Sequence, residues 1–233
     1  MKHRFLRWIF LRIPLLWVAL SLVLVLILKY VPVYYTPLMI RRAVEYRDDG
    51  KYEFHRKWVP LERISPNMMK AVIASEDNLF ASHKGFDTEE MKRMFKAHVE
   101  KGKKIRGCST ISQQTAKNVF TSGSQTWLRK AVEAWFTVLI EKIWGKERIM
   151  EVYLNVAETG LGIYGVQAAA KVYYGIDASA LSLTQSVDLA LCLPSPIKRT
   201  PSYVHSHMAT REKAIISLTG KVECPEWVKN QNK

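Results

Sequence analysis

Cysteine is scarce in this sequence, and its spacing excludes the usual structural uses of the residue. The 233 residues include three cysteines, Cys108, Cys192 and Cys224. Their number is odd, they are widely separated and no two form a CxxC pair, so the pattern argues against a disulfide framework and against a zinc site. We interpret all three as packing residues, with one bridge left open for a protein outside the cytoplasm.

Acidic residues are also few. Asp and Glu total 21 against 35 Lys and Arg, which gives a formal net charge of +14. An excess of this size indicates an anionic partner, and composition leaves three candidates open: nucleic acid, an acidic membrane surface or a phosphate-bearing substrate.

Motifs for nucleotide and metalloprotease chemistry are missing. The chain contains no H-E-x-x-H, G-x-x-x-x-G-K or G-x-S-x-G. The glycines of TGLGIYG (159–165) lack the preceding strand that a dinucleotide-binding loop requires. Both kinds of chemistry are therefore disfavoured.

A long apolar run lies near the N-terminus. Residues 13–28 are 16 uncharged residues between Arg12 and Lys29, about 24 Å of helix, and snorkelling by the flanking cations brings this close to the ~30 Å hydrocarbon layer. Basic residues precede the run and no acidic residue occurs before Glu45, so the positive-inside rule places the N-terminus in the cytoplasm. The absence of a small-residue cleavage site favours an uncleaved anchor over a cleaved signal peptide. An extracytoplasmic domain disfavours nucleic acid as a partner.

Composition and periodicity divide the chain into four segments. We predict a cytoplasmic basic N-terminus (1–12), a transmembrane anchor with its juxtamembrane segment (13–40), a polar linker without sustained periodicity (41–60) and a helical domain (61–233). About 190 residues beyond the anchor are enough for one domain with a real core.

Helical signals dominate the predicted domain, and no window alternates as in a sheet protein. Ser65-Pro66 predicts the start of a helix that ends near Glu76, Thr88 the N-cap of a helix that ends at Gly102, and Ser109 or Thr110 the start of a third. Further helices are predicted at about 127–144, 146–156, 166–175 and 182–193. The fold class is therefore mainly α.

Two segments carry polar residues that need an explanation. In ASEDNLFASHKGFD (74–87), Glu76 and Asp77 follow an apolar stretch, although surface carboxylates are common and need no function. In RGCSTISQQTAKN (106–118), helical spacing brings Thr110, Gln114 and Lys117 onto one face with Asn118 beside it, which suits a ligand rich in hydroxyls and phosphate oxygens. A merely solvated helix face remains the alternative.

A third segment, LRKAVEAW (128–135), places Arg129 four residues before Glu133. This spacing is typical of a simple intrahelical ion pair, and it also allows both side chains to face a cleft. His83 is a lone histidine of the kind that more often holds a loop than binds a metal. Glu76 and Glu133 together would meet the need of glycosyl chemistry for two carboxylates. The residues alone thus indicate a membrane-anchored helical enzyme that acts on a phosphorylated or glycosylated lipid.

Five segments in this order resemble the family 51 glycosyltransferases, the peptidoglycan glycosyltransferase domain of class A penicillin-binding proteins, and especially its monofunctional members. The segments are ASEDNLFASHKGFD, RGCSTISQQTAKN, LRKAVEAW, KERIMEVYLN and TGLGIYGVQAAAKVYYG. The chain departs from the family pattern at Cys108, at Ser195 and in segment 182–193. That segment lacks the Glu that is usual in its first half, and its acidic residue, Asp188, is displaced from that position.

The resemblance implies a lysozyme-like helical domain that polymerises lipid II at the outer face of the cytoplasmic membrane. A lipid-linked glycan would be the donor and lipid II the acceptor, with a β-1,4 bond formed by inversion and undecaprenyl diphosphate released. Glu76 matches the general base and Glu133 the second catalytic glutamate, which lies near the donor diphosphate and assists its departure. Glu151 matches an acidic residue that holds the fold. The residues that match the substrate-binding positions are Asp77, Phe80, His83, Thr110, Gln114, Lys117, Asn118 and Arg129.

The resemblance also sets expectations for cofactors and partners. No cofactor is required, and a divalent cation, Mg²⁺ or Mn²⁺, is an option at the diphosphate, although the sequence offers no dedicated ligand set. The expected partners are lipid II, lipid-linked glycan, the cytoplasmic membrane and other cell-wall synthesis or division proteins, with no nucleic acid. Two alternatives stay open: a lysozyme-like enzyme that cleaves glycan, and a non-catalytic membrane scaffold.

Overall fold

The computed structural model describes residues 2–50, 52–102, 109–122 and 126–230, and the fold is mainly α as predicted. The helices are α1 (Lys2–Tyr30), α2 (Pro37–Glu45), α3 (Pro66–Glu76), α4 (Thr88–Lys101), α5 (Ile111–Phe120), α6 (Trp127–Ile143), α7 (Gly145–Val156), α8 (Val166–Tyr174), α9 (Leu183–Cys192), α10 (Pro201–His207), α11 (Ala209–Thr219) and α12 (Glu226–Asn230). The strands are β1 (His55–Arg56), β2 (Glu158–Gly160) and β3 (Ile163–Tyr164), and short 3-10 helices span Leu61–Arg63 and Ala178–Ala180.

Helix α3 lies at the centre of the core. It begins as predicted, with Ser65 accepting a hydrogen bond from the Asn67 N–H and Pro66 at the first helical position. Proline suits that position because the backbone N–H that it lacks would have no partner within the helix. A helix that is apolar on nearly all sides is buried, and α3 packs against α9 and α11. Glu76, its last residue, therefore emerges from the core. The core residues of α3 are Met68, Met69, Ala71, Val72, Ile73 and Ala74.

Most helix ends follow local capping signals. Thr110 is the N-cap of α5, and Gly175, with φ of +72°, ends α8 as predicted because glycine adopts the left-handed conformation without strain. The predicted N-cap of α4 is wrong by one residue. Asp87 caps that helix by accepting a hydrogen bond from the Glu90 N–H at 2.8 Å, and Thr88 is the first helical residue.

Helix α9 keeps a complete N-terminal cap despite its departure from the family pattern. The Ser182 hydroxyl accepts from the Gln185 N–H, and the Gln185 side chain accepts from the Ser182 N–H at 3.0 Å. An amide oxygen serves this capping box as well as a carboxylate does. The missing Glu thus leaves the start of α9 intact, while Asp188 lies deeper in the helix and is buried.

A three-stranded sheet in the order β1-β3-β2 joins two segments that were predicted to be irregular. Strand β1, within the predicted linker, pairs in parallel with β3, and β2 pairs antiparallel with β3. Strands of two or three residues are too short to produce an alternating pattern. Segment 41–60 also holds the end of α2 and buried Val59, whose N–H donates to Asn155 at 2.9 Å. It therefore packs on the domain, and the domain boundaries stay a prediction.

Residues Arg12–Tyr30 of α1 are long and apolar enough to cross a membrane, with a mean hydropathy of 2.3. The second half of this span also contacts the domain. The indole N–H of Trp135 donates to the Ser21 hydroxyl at 3.0 Å, and that of Trp144 donates to the Val25 carbonyl at 2.7 Å. The Arg148 guanidinium donates to the Leu28 carbonyl at the end of α1. These bonds fix the anchor against α6 and α7, and with it the start of α2.

Two of the three cysteines lie within the described residues. Cys192 and Cys224 are both buried in the core, which confirms their interpretation as packing residues. Cys108 lies outside the described residues.

Candidate active site

A chain of hydrogen bonds holds Glu76 at the end of α3. Its Oε2 accepts from Nε2 of Gln114 on α5 at 3.0 Å, and the Tyr153 hydroxyl on α7 donates to Oε1 of the same amide at 3.1 Å. Burial and the nearby carboxylates of Glu76 and Asp77 raise the pKa of Tyr153 well above its usual range, so the phenol stays a donor. Because Tyr153 occupies the amide oxygen, the amide NH₂ of Gln114 faces Glu76.

Burial raises the pKa of the Glu76 carboxyl above its ordinary value. The hydrogen bond from Gln114 and the positive charges of Lys117, Arg199 and Arg211 act in the opposite direction, because they favour the carboxylate form. The burial effect is larger. Glu76 is consequently a stronger base than an exposed glutamate, and it is held in one orientation, as a general base requires.

Asp77, next to the candidate base, ties α3 to the start of α5. Its carboxylate accepts from Nε2 of His83 and from the Ile111 N–H, each at 2.9 Å. The Gly85 N–H donates to Nδ1 of His83 at 3.0 Å, so Nδ1 is the acceptor and Nε2 the donor to Asp77. His83 lines neither of the two cavities described below, and it holds the loop, as expected for a lone histidine.

Phe80 and Thr110 support the site through contacts within the protein. Phe80 is fully buried, and the Thr110 hydroxyl donates to the Gly85 carbonyl at 2.7 Å while it caps α5. Gly85 has φ of +96°, and a Cβ there would approach Thr137 and Glu141 to 3.0 Å, so only glycine fits without strain. The Thr110 hydroxyl is thus occupied by contacts within the protein. Because Thr110 is the N-cap of α5, it does not extend the helical face of Gln114 and Lys117 as predicted.

Glu76 opens onto a cavity of about 850 Å³, here called the Glu76 cavity. Asp77 and Thr110 lie in its wall beside Glu76, and Arg211 of α11 lies in it too. The remaining wall on α4 carries both acidic and basic side chains. The cavity has room for a sugar unit next to the carboxylate.

A second cavity of about 390 Å³, here called the Lys117 cavity, is lined by Gln114 and Lys117. Burial lowers the pKa of Lys117, and Arg129 and Lys130 act in the same direction, whereas Glu133 and Glu76 oppose it. Lys117 therefore interacts electrostatically with both carboxylates. The polar residues of its wall are Arg41, Arg42, Gln114, Lys117, Asn118, Arg129, Tyr153 and Glu158.

Glu133 lies behind the wall of the Lys117 cavity. It is 2% exposed, and its carboxylate accepts from Arg129 and from Lys130, each at 2.6 Å. The intrahelical ion pair predicted as one alternative is thus present. The other alternative placed both side chains at a cleft, and of the two only Arg129 lines the cavity. Glu133 itself does not line the cavity, so its effect on a ligand there passes through Arg129.

Several residues of these cavities were missed by the sequence analysis. Tyr153 belongs to the KERIMEVYLN segment, but nothing local shows that its hydroxyl reaches Gln114. Arg41 and Arg42 lie on α2, in what was taken as linker. Thr36 caps α2 and Pro37 follows at the first turn, the same signal that predicted α3, so α2 was open to prediction.

Glu151 lies outside both cavities. Its carboxylate accepts from the Arg148 guanidinium, which in turn donates to the Leu28 carbonyl of α1 at 2.8 Å. The position of Glu151 therefore links α7 to the anchor.

The described residues do not fit a resident metal ion. Within residues 2–50, 52–102, 109–122 and 126–230, no three His, Cys, Asp or Glu side chains are grouped to hold one. The wall of the Lys117 cavity is mainly cationic, and its carboxylate, Glu158, lies 3.4 Å from Nε of Arg42. A divalent cation at this cavity would have to arrive bound to an anionic ligand.

Comparison with known proteins adds an independent observation. The profile of the transglycosylase family matches residues 43–219. A biosynthetic peptidoglycan transglycosylase of Caulobacter vibrioides is 47% identical over 220 residues, 94% of this chain and 93% of the relative. Proteins of the same name from Pseudomonas entomophila and Pseudomonas aeruginosa are 50% and 47% identical over 84% and 88% of this chain, and over 84% and 91% of their own lengths.

Proposed function

The chain belongs to the transglycosylase family, and from this membership we infer that it polymerises the glycan strands of peptidoglycan. We propose lipid II as the acceptor, a lipid-linked glycan as the donor, and undecaprenyl diphosphate as the leaving group. The observation that supports this most directly is the position of Glu76, a partly buried base that Gln114 holds, while Gln114 itself lines a cavity with Lys117 and Arg129.

The acceptor half of the reaction takes place in the Glu76 cavity. The 4-hydroxyl oxygen of the acceptor sugar attacks C1 of the donor sugar, and its proton passes to the Glu76 carboxylate. A raised pKa favours this transfer, since it brings the basicity of Glu76 nearer to that needed at neutral pH. Asp77, Phe80, His83 and Thr110 keep the carboxylate in place through the loop and the start of α5.

The donor half takes place in the Lys117 cavity. The bond from C1 to the diphosphate oxygen breaks, and the electron pair leaves with the diphosphate. Lys117 and Arg129 are already in place to stabilise that growing negative charge, and Asn118 offers an amide donor. Glu133 is a positioning residue, because it orients Arg129 and does not line the cavity.

Attack and departure on opposite sides of C1 give inversion, and hence the β-1,4 bond. Gln114 links the two cavities, because it lines the Lys117 cavity and donates a hydrogen bond to Glu76 in the wall of the other. Donor and acceptor sites linked through one side chain suit an in-line displacement.

The anchor keeps the site at the membrane, where both substrates lie. We propose that residues 1–12 are cytoplasmic and that the domain lies on the outer face of the cytoplasmic membrane, with the positive-inside pattern as support. No cofactor is required in this scheme, and Mg²⁺ or Mn²⁺ would act only as a companion of the substrate diphosphate. Other cell-wall synthesis or division proteins remain candidate partners.

The test is a polymerisation assay of the full chain with labelled lipid II in detergent micelles or vesicles. We expect glycan strands to lengthen with time and undecaprenyl diphosphate to be released. Glu76→Gln, which removes the base but keeps the shape, should reduce the rate by at least about 10²-fold without lowering the unfolding temperature.

Two results would contradict the proposal. Shortening of preformed glycan without growth would identify a lysozyme-like enzyme, which has no need of Lys117 and Arg129. Binding of lipid II or wall-building proteins without any turnover would identify a scaffold. A Glu76→Gln variant with full activity would refute the role of Glu76 while leaving the family assignment in place.

A further inference from the structure

Helix α2 brings two arginines from the juxtamembrane segment to the Lys117 cavity. It starts at Pro37, with six residues between it and the end of α1 at Tyr30, and it packs against α5. Arg41 and Arg42 of this helix lie in the cavity wall with Lys117. Both arginines lie outside the five family segments, so neither has a role in the scheme above.

The two arginines differ in how far the protein already engages them. The Arg42 guanidinium lies 3.1 Å from Glu45 and 3.4 Å from Glu158, and it stacks over the Tyr46 ring at 5.6 Å. Its side chain is 21% exposed. Arg42 thus mainly fixes α2 to the buried carboxylate of β2, which is a structural role.

Arg41 is engaged more weakly. Its side chain is 46% exposed, Nη1 donates to the Ser122 carbonyl at 3.1 Å, and Nη2 lies 3.7 Å from Glu45, beyond hydrogen-bond distance. A guanidinium has five N–H donors, so within the described part of the chain Arg41 keeps donors for a ligand. Its position on the cavity rim lets those donors reach an anion inside.

We propose that Arg41 binds the diphosphate of the lipid-linked substrate in the Lys117 cavity, so that the segment after the membrane anchor completes the site. The inference rests on the proposed function for the identity of the substrate. A polyprenyl chain in the bilayer keeps its diphosphate at the membrane surface, where a helix six residues beyond the anchor also lies. A guanidinium presents two parallel N–H donors that match two phosphate oxygens, whereas an ammonium such as that of Lys117 acts as a point charge.

The chain provides a matched control. Arg47 lies two residues after the end of α2, carries the same charge, is 79% exposed and lines neither cavity. Arg41→Gln and Arg47→Gln remove one charge each from the same juxtamembrane segment. Any general attraction between this segment and acidic lipid falls equally in both variants.

The experiment uses the full chain in phosphatidylcholine nanodiscs with and without lipid II. We expect Arg41→Gln to weaken lipid II binding and raise KM by about five- to tenfold, with kcat changed less than twofold, since an exposed charge-assisted bond is lost. Arg41→Lys should recover part of the affinity. Arg47→Gln should match the wild type, and all variants should keep its unfolding temperature.

Three results would overturn the proposal. One is unchanged lipid II affinity in Arg41→Gln. Another is an equal loss in Arg47→Gln. The third is a loss that appears only as weaker association with nanodiscs containing phosphatidylglycerol and no lipid II, which would make Arg41 a contact for membrane headgroups.

The binding measurement also separates this inference from the proposed function. If the wild type fails to polymerise lipid II but binds it through Arg41, the inference stands and the activity assignment fails. If the wild type polymerises and Arg41→Gln binds lipid II as tightly as the wild type, the inference fails alone.

Discussion

At the residue scale, the reactivity of Glu76 depends on two opposing contributions to its pKa. Burial disfavours the carboxylate, while Gln114 and the neighbouring cations favour it. Without the first contribution the carboxylate would be a weak base, and without the second it would be protonated over more of the pH range. Gln114 matters most here because Tyr153 fixes which end of its amide faces the carboxylate.

This balance predicts how the pH dependence responds to a change at Gln114. The hydrogen bond from Gln114 lowers the pKa of Glu76, so Gln114→Ala should raise that pKa further. Since the reaction needs the ionised base, activity on the acidic side should then be lost at a higher pH than in the wild type. The acidic limb of kcat/KM against pH reports this pKa in the free enzyme.

The acidic limb of the wild-type profile is the reference for Gln114→Ala. The wild-type acidic limb should already lie above the ordinary glutamate value of 4.5. A Gln114→Ala profile that moves to lower pH, or that keeps the wild-type limb while only the maximal rate falls, would mean that Gln114 acts on the substrate and not on Glu76.

At the element scale, α1 is long and apolar enough to cross a membrane and also packs against helices of the domain. Its contacts with α6 lie along the same helix that carries Arg129 and Glu133, so the anchor and the donor site share one rigid support. The ring of Trp17 on α1 lies 5.6 Å from that of Trp135 on α6. Among the contacts of α1, the bond from Trp135 to Ser21 is suited to a test because it joins two side chains.

A double-mutant cycle measures this contact. Ser21→Ala and Trp135→Phe should show a coupling free energy of about 0.5–1 kcal/mol, in the range of hydrogen bonds between membrane helices. The measurement is unfolding of the full chain in one detergent. The pair Ser21→Ala and Trp227→Phe, with Trp227 on α12, should be additive, and additivity in the first pair would show that the anchor is only a tether.

At the scale of the whole molecule, the stability of the fold should depend on a buried acidic residue. Asp188 of α9 is 7% exposed, and burial together with the charge of Glu212 on α11 raises its pKa to about 6, while His205 on α10 acts in the opposite direction. Its folded-state pKa is therefore above the ordinary value of 3.8. Ionisation of Asp188 then favours the unfolded state.

The sign of the pH effect follows from this shift. As pH rises from about 4 to above 6, the folded protein loses roughly 1 to 3 kcal/mol of stability through Asp188. Asp188→Asn should remove this loss, so the variant gains stability relative to the wild type as pH rises through that window. Denaturant unfolding at pH 4.5 and 7.0 checks the difference, and an equal wild-type-to-variant difference at both values would contradict it.

Local chemistry made much of the fold predictable. The caps at Ser65, Thr110 and Gly175 act within one helical turn, so the sequence alone reveals them. The β sheet was missed because its strands are too short for periodicity and because β1 pairs with β3 more than a hundred residues away. The ion pair of Arg129 with Glu133 was predictable for the same local reason as the caps, since both residues belong to one helix.

Residue order therefore determined the anchor, the helices and the identity of the candidate base, since each depends on neighbours within a few positions. Only the tertiary structure decided that Tyr153 orients Gln114 toward Glu76, that Lys117 interacts with both Glu76 and Glu133, and that Arg41 reaches the Lys117 cavity. These relations join separate helices, and their distances are set by how buried apolar faces pack together, which no local spacing specifies.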